Sequence, residues 1–361
     1  MDKRRHGFRG SIPLLIVEIC VLLIAVGVMY VVVTMTSEVN HKDIDEKNIH
    51  MNEEIVREKT TDVKQTETKE EEKAKGYRNI ALFGVDARDG ELGRGTRSDT
   101  IMIASINQDT QEIKLISVFR DTYLNLSNDS YNKCNTAYAQ GGPEQAINML
   151  NMNLDLDITD YVTIGFSGLI DAVDALGGVE IEITDSEISH LNNYQLCMAE
   201  ELGVDYIPVE QSGRQLLNGM QATAYCRIRY TKGDDFRRAQ RQREVLAAMM
   251  DKAGGASVGT LTDMVNAVLP QVETSLNVNE ILSVLGSVAG YQMTASDGFP
   301  FEGGRAGANV GSKGSCVIPA DLEENVRQLH QILYPEESYR PSAQVQRINE
   351  EIKQQTSEYI Q

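Results

Sequence analysis

Two hydrophobic patterns divide the chain near residue 77. Residues 14–33 form an apolar run of twenty residues in which only Glu18 is charged. A helix of that length rises about 30 Å, the thickness of the hydrocarbon core of a bilayer. From Tyr77 onward, short apolar runs with strand and helix periods alternate between turn residues. The pattern predicts one transmembrane helix followed by a folded domain.

Basic residues before the apolar run indicate its orientation. Lys3, Arg4, Arg5 and Arg9 precede it, so the positive-inside rule predicts a cytoplasmic N-terminus and an extracytoplasmic domain at the cell membrane. A cleavable signal peptide is the alternative, but the run is too long for one and no A-x-A site follows. We expect a cytoplasmic tail at residues 1–11 and a single-pass transmembrane helix at residues 12–35.

Residues 36–76 lack the hydrophobic periodicity of folded structure. No Phe, Trp or Tyr occurs between Ser37 and Gly76, and both charge signs are dense, which is typical of a solvated stalk. We therefore expect a stalk at residues 36–76 and a folded domain from Tyr77 onward.

Apolar periodicity predicts the elements of the folded domain. Alternating or continuous β-branched runs predict strands, and helical periods that end at Gly or begin near Pro predict helices. Their alternation favours an α/β or α+β sandwich, with a central mixed β-sheet flanked by helices. Strands are expected at residues 79–85, 100–106, 112–119, 161–166 and 179–183, and helices at residues 141–151, 168–176, 235–253, 261–269, 278–288 and 322–333.

Two aspartates flank the loop between the first two predicted strands. If these strands pair as a hairpin, Asp86 and Asp99 converge at one end of the sheet. Carboxylate oxygens suit Mg²⁺, which also binds waters and phosphate oxygens. Spacing alone fits a solvated charged loop better, although Arg94, Arg97 and Arg120 supply the mixed charge that a metal-bound anion needs.

Arg120 and Asp121 directly follow the apolar strand that ends at Phe119. A rigid strand can hold such residues at a binding site. An ordinary ion pair at a strand end is an equally good interpretation of this pattern.

The clearest physical signal is an arginine-rich segment that begins at Tyr225. We expect a strand that places Arg227 and Arg229 on one side, followed by a turn and a helix. Asp234 or Asp235 is expected to cap this helix, because Asp is a preferred N-cap residue.

One stripe of this helix carries Arg238, Arg241, Gln242 and Val245. The stripe continues through Ala248 and Met249, which must face the core. Arginines on a core-facing stripe near a helix N-terminus predict a pocket that binds an anion such as pyrophosphate. A solvated arginine-rich face is the weaker alternative, because the apolar continuation determines the direction of the stripe.

Composition argues against several other functions. A net charge of −19 argues against a nucleic-acid partner. The five histidines are scattered, which disfavours a histidine triad or a zinc centre, and the sequence has no Walker A, GxGxxG or GxSxG motif. Residues 303–314 are glycine-rich and predict a flexible surface loop. Four cysteines follow the apolar run, and the sequence leaves their pairing open.

Several ordered motifs resemble those of the LytR-CpsA-Psr family of cell-wall glycopolymer phosphotransferases. They lie between residues 77 and 253 and read GVDARD, RSDTIM, SVFRDTY, KCNTAYAQGG, ITDYVTIGFSGLIDAVDALGGVEI, LNGMQATAYCRIRY and GDDFRRAQRQR. The tail, single span and stalk are similar to the topology of that family. Residues beyond about 255 match the family motifs poorly, so the resemblance implies a catalytic domain at residues 77–255 and a helical extension at residues 256–361. Two positions depart from the family pattern: Gly165 stands where aspartate is frequent, and Cys134 stands where isoleucine or alanine is frequent.

The resemblance implies transfer of a phosphate-linked glycopolymer, such as teichoic acid or capsule polysaccharide, from a polyprenyl pyrophosphate carrier to peptidoglycan. It implies that Asp86 and Asp99 hold Mg²⁺, that Asp121 or Asp235 deprotonates the acceptor with Arg120 beside them, and that the lipid occupies an apolar channel. The residues expected around the pyrophosphate are Arg97, Arg120, Arg229, Arg238, Arg241 and Gln242. A pyrophosphatase acting on the same lipid, and a non-catalytic lipid-binding or regulatory protein of the envelope, are the alternatives.

Overall fold

The computed structural model of the protein describes residues 40–42, 44–55, 76–85, 92–229 and 234–360. Its strands are β1 (Asn40–His41), β2 (Tyr77–Val85), β3 (Ser98–Asn107), β4 (Glu112–Val118), β5 (Tyr123–Asn125), β6 (Tyr131–Lys133), β7 (Asp160–Gly165), β8 (Val179–Ile183), β9 (Gly213–Leu217), β10 (Val272–Thr274), β11 (Gln292–Phe299), β12 (Arg305–Asn309) and β13 (Ser315–Pro319).

The helices surround a central sheet. They are α1 (Asn135–Leu154), α2 (Phe166–Ala175), α3 (Asp185–Leu202), α4 (Gly219–Arg227), α5 (Asp234–Gly254), α6 (Val258–Val268), α7 (Val278–Ser287), α8 (Leu322–Leu333) and α9 (Ala343–Thr356). The predicted helices are confirmed, α8 with the predicted bounds and the others with shifted bounds. In α1, for example, the expected start at residue 141 is an internal kink, where Gly142 has a φ of 71° just before Pro143.

Seven strands form the central sheet in the order β1-β10-β7-β2-β3-β4-β11. The neighbours β2, β3 and β4 are antiparallel, whereas β7 is parallel to β2 and β11 is parallel to β4. Val85 pairs with Ser98 at one end of the β2–β3 hairpin. The mixed sheet and the predicted hairpin are therefore confirmed.

Both faces of the sheet carry apolar side chains because the strands alternate them between the two faces. On one face, Ala81 and Phe83 belong to the main hydrophobic core, to which α1, α8 and α9 contribute. On the other face, Ile80 and Leu82 line an apolar cavity of about 480 Å³ that α2, α5 and α6 also line. The sheet thus separates a packed core from a cavity.

Residues 219–227 form α4, so the strand predicted at Tyr225 is wrong. The Asn218 side chain accepts a hydrogen bond from the Gln221 N–H, and the Gln221 side chain accepts one from the Asn218 N–H. This capping box stabilises the helix start. The apolar residues around Tyr225 that resembled a strand instead let α4 pack against α2 and α3.

The folded domain extends beyond residues 77–255 at both ends. β1 joins the sheet beside β10, and the Lys42 ammonium is 2.5 Å from the Glu273 carboxylate. At the other end, β11 is a strand of the same sheet, and α8 and α9 complete the main core. Both segments therefore belong to the folded domain. Residues 40–42 and 44–55 do not form the expected solvated stalk, and the residues after 256 do not form a separate helical extension.

The glycine-rich residues 303–314 also differ from the expectation of a flexible loop. They contribute to the hairpin β12–β13, in which Arg305 pairs with Pro319 and Asn309 pairs with Ser315. Backbone pairing holds this segment although it has few side chains to pack.

The predicted transmembrane helix at residues 12–35 and the tail at residues 1–11 lie outside the described residues. Of the helices within the described ranges, none is long and apolar enough to cross a membrane.

Candidate active site

A polar pocket lies where β3 begins, β4 ends and the first turns of α5 approach the sheet. Asp99 lies in β3, Arg120 and Asp121 directly follow β4, and Asp235 and Arg238 lie in α5. These five side chains line the pocket, together with Thr100, Ser117, Ala239, Gln242 and Val317. The tertiary fold thus joins the charged positions of three separate motifs.

Charged groups at this pocket form a continuous network. Arg120 Nη1 donates to Asp99 Oδ1 at 2.5 Å, and Arg120 Nε is 3.6 Å from an Asp235 oxygen. The Asp235 carboxylate is also 3.3 Å from Arg229 and 3.3 Å from Arg238. Three guanidinium groups therefore surround the Asp235 carboxylate, and guanidinium groups are well suited to bind an anion.

Burial and neighbouring charges act against each other in this network. Burial opposes ionisation of Asp235, but the attraction of Arg238 and Arg120 outweighs it, so the pKa of Asp235 is lowered. Burial disfavours the charged form of Arg238, and repulsion from Arg120 adds to this effect, so the pKa of Arg238 is also lowered. A bound anion would relieve the repulsion between Arg238 and Arg120.

Several buried polar atoms of the network have no hydrogen-bond partner among the described residues. They are the Nε atoms of Arg120, Arg229 and Arg238, Asp235 Oδ1 and Ser117 Oγ. Native proteins leave few such atoms unsatisfied. Three guanidinium N–H groups and one hydroxyl can all donate to oxygen, which is what a phosphate group requires of its site.

The polar pocket adjoins the apolar cavity. Thr100 and Gln242 line both of them. Deeper in the cavity the lining is apolar, as at Leu82, Met102 and Ile164. An anionic head group joined to a long apolar chain suits this arrangement.

The model of the LytR-CpsA-Psr family matches residues 37–300 of the chain. The chain belongs to this family. It is 31% identical over 226 residues to the polyisoprenyl-teichoic acid–peptidoglycan teichoic acid transferase TagU of Oceanobacillus iheyensis. That alignment covers 60% of this chain and 65% of the relative, so the chain spans slightly less than two thirds of the relative's length.

Solved structures of the family share the fold. A protein from Streptococcus agalactiae is 26% identical with a TM-score of 0.61, and the match covers 74% of this chain and 92% of that one. The family protein YwtF (TagT) with bound octaprenyl pyrophosphate lipid is 22% identical with a TM-score of 0.53. This second match covers 74% of this chain and 94% of that one, and it shows the fold alone.

In this member of the LytR-CpsA-Psr family, the predicted pyrophosphate residues lie in different surroundings. Arg120, Arg229 and Arg238 meet around Asp235, and Gln242 lines the pocket. Arg97, in contrast, is exposed at the surface.

Arg241 is buried away from the lining of the pocket, with 1% of its surface exposed. Its Nε donates to Glu187 at 2.8 Å, and its Nη1 donates to the Ile228 carbonyl at 3.0 Å. Glu187 belongs to the first turn of α3, where it also accepts hydrogen bonds from Thr184. Helical periodicity correctly predicted that Arg241 faces the core. There, however, Arg241 pairs with the buried Glu187 carboxylate.

Of the two predicted metal ligands, only Asp99 lies among the described residues. Asp86 lies outside the described residues, and the described ranges contain no cluster of three or more His, Cys, Asp or Glu side chains suited to a metal ion. Asp99 has one oxygen bonded to Arg120, and its side chain is 35% exposed at the pocket. A lone carboxylate of this kind fits Mg²⁺ only if a second carboxylate and phosphate oxygens complete the coordination.

The sequence did not identify two further residues at the site, Ser117 in the pocket lining and Lys133 beside Asp121. Lys133 Nζ is 3.1 Å from Asp121 Oδ1, a contact that spacing could not reveal although the motif KCNTAYAQGG contains the lysine. Ser117 lies on β4 two residues after buried Leu115 and lines the pocket. A hydroxyl on the same strand face as an apolar residue was the available signal.

Cys134, where the chain departs from the family pattern, supports the backbone of the site. Its thiol donates to the carbonyl groups of Phe119 at 3.2 Å and Arg120 at 3.3 Å. Cys134, Cys197, Cys226 and Cys316 are free thiols in the structure.

Proposed function

We propose that this protein transfers a phosphate-linked glycopolymer, such as teichoic acid, capsule polysaccharide or a related glycan, from a polyprenyl pyrophosphate carrier onto peptidoglycan. The supporting observation is the junction of an apolar cavity with buried guanidinium groups that have unsatisfied N–H groups. The transferase name of the TagU relative and the octaprenyl pyrophosphate bound to TagT agree with it.

In this proposal, the polyprenyl chain occupies the apolar cavity and the pyrophosphate occupies the polar pocket. Arg120, Arg229 and Arg238 donate to its non-bridging oxygens, and Gln242 contacts it at the junction of the two spaces. Arg97 is a further ligand to be tested, because it precedes Ser98 and Asp99 at the start of β3.

The family resemblance implies Mg²⁺ as a cofactor, with Asp86 and Asp99 as its ligands. When bound, the ion would supply charge neutralisation on phosphate oxygens. The arginines of the pocket supply the same kind of stabilisation.

The proposed reaction is a phosphoryl transfer. A sugar hydroxyl of peptidoglycan attacks the phosphorus nearest the glycan. A new P–O bond forms while the bond to the bridging oxygen breaks, and polyprenyl monophosphate leaves with the bonding electron pair. The hydroxyl proton passes to a carboxylate of the pocket. Arg120 neutralises charge that develops on the phosphate oxygens.

Asp121 fits the role of base better than Asp235. Three arginines lie 3.3–3.6 Å from Asp235 oxygens, and the pKa of Asp235 is lowered, which makes it a weak proton acceptor. Asp121 instead contacts Lys133 at 3.1 Å and Arg120 at 3.8 Å. We therefore assign Asp235 to orienting the arginines.

Transfer by the purified full chain tests this proposal, with a polyprenyl pyrophosphate-linked glycan as donor and peptidoglycan as acceptor. Arg238→Ala and Asp99→Ala are each expected to lower the rate by roughly 100-fold, because each removes electrostatic stabilisation of the transferred phosphoryl group. Arg214→Ala is the matched control, since Arg214 lies on β9 with a side chain that is 72% exposed.

The products distinguish the proposal from its alternatives. Wild-type rates in both Arg238→Ala and Asp99→Ala would contradict the assignment. Release of the phosphorylated glycan into water, equally with and without peptidoglycan, would identify a pyrophosphatase. Retention of the carrier lipid without turnover would identify a lipid-binding or regulatory protein.

We also propose that the N-terminal apolar run anchors the protein in the cell membrane with the catalytic domain outside. The basic residues before residues 14–33 support this orientation. Protease treatment of intact protoplasts tests it: the domain is expected to be degraded from outside, and full protection would contradict the topology.

A further inference from the structure

The hairpin β12–β13 packs beside the candidate active site. The Val317 N–H donates to the Asp121 carbonyl at 2.9 Å, and Val317 also bridges to Thr122. Val317 lines the polar pocket as well. The family model ends its match at residue 300, so this hairpin is a C-terminal contribution of the chain to the surroundings of the site.

Two aromatic residues next to the charged pocket residues touch each other. Phe119 precedes Arg120 in the chain, and Phe236 follows Asp235. Their ring centroids are 4.6 Å apart with an interplanar angle of 80°, the edge-to-face geometry that aromatic pairs prefer. This contact joins the end of β4 to the first turn of α5.

The guanidinium of Arg305, the first residue of β12, lies over both rings. Its guanidinium carbon is 3.9 Å from the Phe236 centroid and 5.1 Å from the Phe119 centroid. Arg305 Nη1 donates to the Pro300 carbonyl at 3.0 Å, which orients the guanidinium. A cation over an aromatic face is attracted by the negative face of the ring.

Phe119 also packs tightly against β11. A Cβ atom on Gly298 would lie 2.3 Å from the tip of the Phe119 ring, so this ring packs directly on the β11 backbone. The Phe119 N–H also donates to the Phe299 carbonyl at 3.0 Å. Phe119 is therefore held by β11, and Arg305 extends that support to Phe236.

Such support is needed because like charges converge on the other side of the same segments. Arg120, Arg229 and Arg238 approach one carboxylate, and repulsion between Arg120 and Arg238 contributes to the lowered pKa of Arg238. Asp235 and Asp99 attract Arg238, but the pKa of Arg238 stays lowered, so these carboxylates do not fully offset burial and the repulsion from Arg120. The cation–π contact of Arg305 with Phe236 and Phe119 lies outside this network and can hold α5 close to β4 whether or not an anion is bound.

We propose that Arg305 is a positioning residue that lies over Phe236 and Phe119 and thereby holds Asp235 and Arg120 at the separation that pyrophosphate binding requires. Arg305 itself does not line the polar pocket. This inference rests on the proposed function for its catalytic consequence, but the cation–π contact and its effect on the two segments are independent of the reaction.

The test compares Arg305→Ala, Arg305→Lys and Arg305→Met in the full chain. Arg305→Ala is expected to raise KM for the lipid-linked donor and to lower kcat, each by about 10-fold, because misplaced binding groups weaken both binding and reaction geometry. Arg305→Lys keeps a cation over the rings and is expected to recover most of both losses. Arg305→Met keeps apolar contact without charge and is expected to recover neither.

Amide hydrogen exchange provides a readout that does not need activity. Faster exchange is expected in Arg305→Ala within residues 117–123 and 234–240, with no change in β8 and β9. Arg327→Ala is the matched control, because Arg327 lies in α8 with a side chain that is 46% exposed. If Arg305→Ala does not fold, Arg305→Lys and Phe236→Leu test the contact between Arg305 and Phe236 with smaller changes in side-chain size.

The outcomes separate the inference from the proposed function. Wild-type kinetics and wild-type exchange in Arg305→Ala overturn the inference while the transferase assignment stands. Equal rescue by Arg305→Met and Arg305→Lys also overturns it, because packing alone would then suffice. A wild-type chain without transfer activity overturns the proposed function, and the exchange measurement still decides whether Arg305 holds the two segments.

Discussion

Unsatisfied hydrogen-bonding atoms at single residues carry much of the argument for an anion site. Most buried polar atoms in proteins find partners, yet the hydroxyl of Ser117 and three arginine Nε atoms at this pocket do not find one among the described residues. Ser117 is 2% exposed and neutral, so its role can be tested without changing the charge of the site.

Ser117→Ala is expected to weaken binding of inorganic pyrophosphate by at least about 10-fold, because a hydrogen bond to a charged group contributes about 1.5 kcal/mol or more. The thermal unfolding temperature should stay nearly constant, since the hydroxyl has no partner to lose in the free protein. Isothermal titration with pyrophosphate and calorimetric unfolding measure the two quantities.

Thr223→Val is the control for this change. Thr223 is fully buried with an unsatisfied hydroxyl, but it lies in α4 and does not line the pocket. Pyrophosphate affinity should be unchanged in this variant. Unchanged affinity in Ser117→Ala as well would remove Ser117 from the binding site.

At the scale of elements, the approach of α4 to α2 shapes one wall of the cavity. Gly219 begins α4, and its N–H donates to Asp174 Oδ1 at 2.7 Å. A Cβ atom at this position would lie 2.1 Å from the Ile170 carbonyl oxygen, which belongs to the backbone of α2. Only a residue without a side chain permits this contact.

Gly219→Ala should therefore lower the free energy of unfolding by about 2–3 kcal/mol, because overpacking against backbone forces the helices apart. Urea denaturation of the purified chain measures this change. Gly259→Ala in α6 is the matched control: the nearest described atom to its Cβ would be Ser257 Oγ at 3.6 Å. A helix favours Ala over Gly, so the control should be neutral or stabilising, and equal destabilisation of both variants would contradict the steric explanation.

The predicted and observed elements show which parts of the fold local sequence patterns can specify. β8 (Val179–Ile183) was predicted with its observed bounds because its apolar residues alternate and glycines precede it. The end of α4, from Tyr225, was predicted as the start of a strand, although the capping residues Asn218 and Gln221 of the helix were present in the sequence. β10 and β11 were missed because pairing with distant strands, rather than strong local preference, stabilises them.

At the scale of the whole molecule, the C-terminal helices are tied to the rest of the domain through a buried histidine. His330 in α8 bonds the Leu154 carbonyl at the end of α1 at 2.9 Å and stacks on Tyr339 with 3.6 Å between ring centroids. Burial lowers the pKa of His330 below its ordinary value of 6.5. The folded protein therefore resists protonation that the unfolded chain accepts.

This difference predicts that the domain loses stability as the pH falls from 6.5 toward the lower pKa of folded His330. The sign follows from proton binding, because the unfolded state takes up the proton first. The lowered pKa values of Asp235 and Glu187 act only below their unfolded values of about 4, and so they do not contribute in this window. Unfolding temperatures of the wild type and His330→Gln between pH 7 and pH 5 measure the slope; an equally steep fall in both proteins would contradict this account.

The sequence by itself determined the features that depend on neighbouring residues. Strand alternation, helix periodicity, and the core-facing stripe of Arg238 and Gln242 follow from the fixed geometry of each element. The family motifs added the expectation of a pyrophosphate site. The tertiary structure decided which of these side chains meet: Arg120 and Asp235 converge on one network, whereas Arg241 pairs with Glu187 on another helix.

The tertiary structure alone also showed that residues 40–42 and 44–55 and the C-terminal helices belong to the domain, and that Arg305 lies over Phe236. Each of these contacts links residues more than sixty positions apart in the chain. Local preferences cannot specify such pairs, because the entropy of closing a long loop is offset only when the whole core assembles.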